Sequence, residues 1–317
     1  MYRKYWIDNL KGICLFFIVI GHLGKIPDEL KYLLAPTDLL YVTIFFYLSG
    51  LLFRNEKYSY VEFFKNKFRN LLLPYFSITF IVSLLDWNLY LETETFIKST
   101  LYHCLWGDGP IKGTPLWFVS TLLGANMILK TGLLISTKWL RILFFMFLPF
   151  LCYWFYGNDI RLPMRLDSAF GASFIMYMAN SLYHISMNRW AHNLLLIISC
   201  VLFMVGLYFH VGLLNYNALH SWLSFPSAIG GCVLVSKISY KLLNKNCAIL
   251  VWIAKNGLPI LGFHCLIGFY LDVILKVFNT NELYIFPFKC LFVFAILYFI
   301  TIPILSKIQP QLWGVKK

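Results

Sequence analysis

Apolar runs recur along the chain, each closed by a short polar or basic stretch, and their lengths match what an α-helix needs to cross a bilayer. The pattern predicts helices at about 8–24, 38–53, 70–86, 115–130, 140–156, 167–186, 192–210, 220–237, 256–275 and 285–306. In hydrocarbon every backbone N–H and C=O needs an internal partner, and a helix supplies one within each segment. The expected fold is therefore all-α: a multi-pass integral membrane bundle of about ten transmembrane helices. We read residues 1–317 as a single transmembrane domain.

Two stretches between the runs have a character of their own. Residues 54–69 are amphipathic, with Tyr58, Val61, Phe64 and Phe68 near one face and lysines on another, and read as an interfacial helix on the cytoplasmic leaflet. Residues 87–114 form the longest outer connection, with Trp87, Tyr90, Tyr102 and Trp106 ahead of Gly107-Asp108-Gly109-Pro110. Loops of that length are often lids or binding surfaces. If the N-terminus is cytoplasmic, 19 of the 27 basic residues fall on that side and 8 outside, which favours an N-in/C-in topology. No internal repeat is visible, so an inverted-repeat transporter finds no support.

Composition narrows the class further. Hydrophobic residues make up 60% of the chain and charged ones 13%, whereas a soluble domain is about 45–50% apolar and about 25% charged. The net charge of +13 lies in short runs between apolar segments. That is the pattern of membrane topology, and no nucleic-acid partner is expected. Eight cysteines are scattered without a C-x-x-C pair, so neither a metal site nor a disulfide framework is expected. The first apolar stretch ends in Gly21-His22 and not in a small-residue cleavage site, so no cleavable signal peptide is expected.

The first helix carries the sharpest chemical signal. Lys11 and His22 are eleven residues apart, about three turns, so they share a face about 16 Å apart along the axis, with Asp8 near the same stripe. Ionisable groups inside a span usually face the protein or a wet cavity, although Asp8 and Lys11 at the headgroups and His22 at the far end would also fit. A neutral imidazole partly withdrawn from water is suited to act as a general base; a satisfied structural histidine is the plainer reading. Arg69 is either a snorkelling anchor or a phosphate clamp. Ser49, beside Gly50 in the second span, reads as a helix-packing position or a ligand contact. Trp117 is a membrane-interface residue or a wall of an acceptor pocket, Asp167 a helix cap, and His264 a second histidine placed to line a cavity. His103 in a loop and His184, His192, His210 and His220 near helix ends receive no role.

Taken in order, these stretches resemble the acyltransferase-3 family of multi-pass membrane acyltransferases, and within it the fucose 4-O-acetylase-like branch. Trp6-Ile7-Asp8-Asn9-Leu10-Lys11-Gly12 through Gly21-His22 is similar to the family's first-helix signature, a basic residue and a histidine separated by ten intervening positions. Phe45-Phe46 to Ser49-Gly50, Arg69 to Pro74, Pro115-Leu116-Trp117-Phe118, Asp167-Ser168-Ala169 with Met176-Tyr177-Met178, and Phe263-His264 resemble its later motifs. Lys11 stands where many relatives have Arg, and a lysine makes no bidentate contact. The resemblance implies transfer of an acyl group, usually acetyl from acetyl-CoA, to a sugar hydroxyl of an extracytoplasmic glycan or its precursor, with no metal. It also implies the plasma membrane of a bacterium. In that setting Arg69 and Lys11 would hold the acyl-CoA, with Asp8 favouring the charged form of Lys11, and His22 would deprotonate the acceptor or relay the acyl group. Trp117, Ser49 and His264 would contact the acceptor. A transporter or flippase of a lipid-linked glycan is the alternative from a different class, with the same ionisable groups lining a path.

Overall fold

The computed structural model describes residues 4–23, 40–55, 58–85, 93–109, 115–184, 188–209, 221–275 and 282–315. Among them every regular element is helical and no strand occurs. The chain runs through α1 (Tyr5–His22), α2 (Tyr41–Leu51), α3 (Tyr60–Lys67), α4 (Leu73–Leu85), α5 (Thr93–Trp106), α6 (Trp117–Gly132), α7 (Lys138–Gly157) and α8 (Leu166–His184). It continues through α9 (Arg189–Tyr208), α10 (Ser221–Leu242), α11 (Ala248–Lys255), α12 (Gly257–Leu275), α13 (Glu282–Ile296), α14 (Ile302–Lys307) and α15 (Pro310–Trp313).

Among the described residues five helices are long and apolar enough to cross a membrane: Tyr60–Leu85, Lys138–Gly157, Arg189–Tyr208, Gly257–Leu275 and Ile285–Lys307. These five coincide with five of the roughly ten expected spans. Of the qualifying windows, those in α7 and α9 have only 17% and 11% of their residues buried in the protein, so they carry the lipid-facing apolar surface. The remaining expected spans, α1, α2, α6, α8 and α10, are shorter or carry the polar groups of the interior, such as Asn9, Thr43, Asn126, Lys130, Ser173 and Ser236.

Two boundaries also differ from the sequence reading. Ser59 opens α3 with a capping box, its hydroxyl accepting from the Glu62 N–H while Glu62 reaches back to Ser59. From there α3 runs through a π turn at Phe68–Leu72 directly into α4, so the amphipathic segment and the third expected span form one continuous helix. The outer connection is not an open loop. Thr93–Trp106, free of Gly and Pro, folds as α5, and His103 belongs to it. Trp87, Tyr90, His210 and His220 lie outside the described residues.

Buried polar side chains hold the bundle at the ends of its helices. The last carbonyls of a helix have no intrahelical donor. Asn9 in α1 donates from Nδ2 to the Leu243 and Lys245 carbonyls, at 2.8 and 2.7 Å, just past the end of α10. Asn180 in α8 donates to the Gly50 and Phe53 carbonyls, both at 3.1 Å, at the end of α2. Lys130 in α6 donates to the carbonyls of Asn55 and of Tyr58, the latter at 2.9 Å.

Three of the helices, α1, α4 and α12, run in the same direction side by side. A Cβ on Gly257 would lie 3.4 Å from Leu15, and seven residues further along both helices the rings of His22 and His264 meet. On the other flank Ile78 presses on Gly262, and the Leu85 carbonyl accepts from the Tyr270 hydroxyl. This parallel set positions the candidate site.

Candidate active site

His22 closes α1, and its imidazole is exposed. Its Nδ1 lies 2.7 Å from the Ile18 carbonyl. A carbonyl only accepts, so Nδ1 carries the hydrogen and Nε2 of the neutral ring keeps a free lone pair. His264 repeats the arrangement one helix away, with Nδ1 at 2.8 Å from the Ile260 carbonyl. It is fully buried, and Nε2 lies 3.2 Å from the Cys265 thiol, which acts as the donor. The two rings meet edge to face, centroids 5.6 Å apart and planes at 89°. The two histidines singled out in spans, 242 residues apart in sequence, therefore form one pair, and His22 is its accessible member.

Lys11 and Arg69 share a level well away from that pair. Counting at about 1.5 Å per residue from the Leu15–Gly257 and Ile78–Gly262 contacts places both about 13 Å below Gly262. Arg69 sits in the π turn, exposed, with Nη2 donating to Gln311 Oε1 at 2.6 Å. Lys11 and Asp8 are half-buried on α1. The parallel helices thus put basic groups at one level and the imidazoles at another, with apolar helix between.

The second and fourth motifs come together elsewhere. Phe118 packs on Phe45 and Phe46, centroids 5.4 and 5.1 Å apart. Ser49 is half-buried beside Gly50, which lies against the Met176 backbone of α8. Trp117 faces the Arg165 guanidinium at 5.8 Å, a cation–π contact. Arg165 Nη1 also meets Asp108 Oδ1 at 3.0 Å, and its Nη2 donates to Ser168 Oγ at 2.9 Å. Arg161 pairs with the other Asp108 oxygen at 3.2 Å. Asp167 accepts from the Leu162 N–H at 3.1 Å and so secures the turn before α8, where the sequence reading made it a cap of that helix. Met164 and Arg165 in this turn have φ of 55° and 54°, a left-handed conformation that costs roughly 1–2 kcal/mol per non-glycine residue. The Arg165 contacts oppose that strain.

Beside this cluster, α5 docks through the Tyr75 hydroxyl, which donates to the His103 carbonyl at 3.0 Å. Desolvation lowers the His103 pKa below the ordinary 6.5, against the opposing pull of Asp108. The unfolded imidazole then binds a proton more readily than the folded one, so stability is full above pH 6.5 and falls as the pH drops through that value. Thermal unfolding midpoints between pH 7.5 and 5 are expected to decline less in His103→Gln than in wild type. An identical decline would remove His103 from the acid response.

Two ionisable residues escaped the sequence reading. Lys289 was counted among the outer basic residues, yet it is 4% exposed, and its amine reaches the Leu23 carbonyl and lies 2.6 Å from the Asp272 carboxylate. The available signal was that each is the one charged residue of its apolar run, in 257–275 and 285–306.

A family model described as an acyltransferase domain matches residues 4–305, nearly the whole chain. No curated protein matches the chain, and no solved structure does. The match includes α1 with His22, α12 with His264 and the apolar helices that would cross the bilayer. The chain belongs to the acyltransferase-3 family and is a multi-pass membrane acyltransferase.

Proposed function

We propose that the protein transfers an acetyl group from acetyl-CoA to a hydroxyl of a sugar in a cell-surface or secreted glycan or its precursor. We place it in the fucose 4-O-acetylase-like branch and in the plasma membrane of a bacterium, with an N-in/C-in topology. The observation that carries the reading is the His22 imidazole, exposed at the end of α1 with Nδ1–H committed to the Ile18 carbonyl, so that Nε2 is the basic nitrogen.

In this reading Arg69 and Lys11 engage the donor phosphates at the cytoplasmic level, and Asp8, one turn before Lys11, supports its positive charge. The pantetheine arm runs along the bundle toward His22. His22 Nε2 takes the proton of the acceptor hydroxyl as its oxygen bonds to the thioester carbon. The carbon–sulfur bond breaks, and the proton passes from His22 to the departing CoA thiolate. His264 buttresses the His22 ring and Trp117 contacts the acceptor, while Ser49, on the antiparallel α2 near the level where α1 begins, serves helix packing beside Gly50.

Sealed vesicles supplied with acetyl-labelled acetyl-CoA and a panel of glycan acceptors test this. Wild type should release CoA and label the glycan. Arg69→Ala should raise the KM for acetyl-CoA about 10–100-fold with kcat little changed, the loss of one hydrogen bond to a charged group. Movement of a lipid-linked glycan without CoA turnover would replace acyl transfer with transport.

A further inference from the structure

Lys289 presents a physical problem that the proposed chemistry leaves unsolved. A charged amine inside an apolar run is costly, and a lysine near a helix end ordinarily extends its stem to place the charge in water. This side chain is 5% exposed and turns inward, although its partner Asp272 is 45% exposed. What it reaches inside is the carbonyl of Leu23, the residue that ends α1 directly after His22.

The approach has been cleared for it. Along one face of α12, at four-residue intervals, stand Ile260, His264, Gly268 and Asp272. Ile260 supplies the carbonyl for His264 Nδ1, His264 meets His22, and Asp272 holds the amine. Gly268 supplies space: a Cβ there would come within 2.8 Å of Leu23 and 3.6 Å of the Lys289 side chain. The end of α1, the face of α12 and the α13 lysine therefore interlock one turn beyond the histidine pair.

We propose that Lys289, held by Asp272, is a positioning residue for His22: its buried amine fixes the carbonyl that ends α1 and so sets where the imidazole stands against His264. This rests on the reading of His22 as the base of acyl transfer. Lys289 touches no reacting atom in this scheme. Its effect falls on kcat and not on affinity, because a histidine displaced by a fraction of an ångström still admits both substrates but meets the hydroxyl badly.

The test uses the full chain in vesicles and compares wild type, Lys289→Met, Lys289→Gln, Asp272→Asn and His22→Ala, with kcat, both KM values and the unfolding midpoint for each. Lys289→Met should lower kcat about 10–100-fold, with both KM values within about twofold of wild type. Lys289→Gln retains an N–H donor and should recover most of that loss, whereas an equal loss in Lys289→Gln would overturn the proposal by assigning the effect to charge. A lower midpoint with wild-type kcat would overturn it in favour of a purely structural role. If Lys289→Met does not fold, Asp272→Asn decides at its half-exposed position: a several-fold drop in kcat supports the proposal and an unchanged kcat overturns it. Inactive wild type or active His22→Ala would defeat the acyl-transfer reading itself. Inactive His22→Ala beside fully active Lys289→Met would defeat only the role of Lys289.

Discussion

His22→Ala lowers acyl transfer by about 10²–10⁴-fold, the range of a positioned general base, and leaves the protein folded. Both halves of that expectation come from the site. The His22 side chain is exposed, and its described hydrogen bond is to a carbonyl of its own helix, so its removal strands no hydrogen-bonding group of another helix and loses only the edge contact with His264. The chemical loss follows because Nε2 is the basic nitrogen of a ring whose other nitrogen is already committed. His264→Ala should behave differently. It deletes a fully buried ring and leaves the Ile260 carbonyl and Cys265 thiol without it. Large-to-small changes at such sites cost about 2–5 kcal/mol, so this variant is expected to lose its fold before its chemistry can be judged. The check is the rate of label transfer at matched protein level, read beside the unfolding midpoint. A His22→Ala enzyme within a few-fold of the wild-type rate would remove the base from the mechanism.

Gly50→Ala is the second large effect, this time on folding. A Cβ on Gly50 would come within 2.1 Å of the Met176 carbonyl oxygen and 2.5 Å of its Cα. Those atoms are backbone in the middle of α8, so no rotamer change relieves the clash, and α2 and α8 must move apart. Overpacking typically costs 1–3 kcal/mol and occasionally more, and this contact belongs at or above about 3 kcal/mol. Separation of the helices would also lengthen the two hydrogen bonds from Asn180 to the end of α2. The measurement is the unfolding midpoint of the solubilised protein, with Gly21→Ala as control because a Cβ there meets nothing within 4 Å. Equal midpoints for the two variants would show that α2 and α8 can yield.

The contrast between those positions shows what was legible in the sequence. The helices along the apolar runs were readable, because hydrophobic length alone specifies them. The Ser-Gly pair in the second span was readable as a packing position, and the close approach at Gly50 is the reason. The importance of His22 and His264 could be argued singly from their places in apolar segments. Their meeting could not, since periodicity says which face a residue occupies but not which distant helix covers it. Asp108, Arg161 and Arg165 looked like ordinary outer-loop charges until the turn at Pro163–Arg165 brought them together, with Arg165 over Trp117. Lys289 was hidden for the opposite reason. A lysine near the end of a span looks like a topology signal, and only its inward turn shows otherwise. Five of the expected spans have the length and hydropathy of a crossing helix among the described residues, and the other expected spans bury polar groups such as Asn9, Asn126 and Lys130.

The partners of α1 carry a consequence for how the protein is made. The amide of Asn9 waits for carbonyls 234 and 236 residues later, and the carbonyl of Leu23 waits for an amine 266 residues later. At ribosomal rates of about 5–20 residues per second, that last gap is roughly 13–53 seconds of synthesis. Throughout it the Leu23 carbonyl stands without the amine that meets it in the folded protein. The contacts of α1 are thus completed only by segments made hundreds of residues later, so its final placement follows that of the helices made in between.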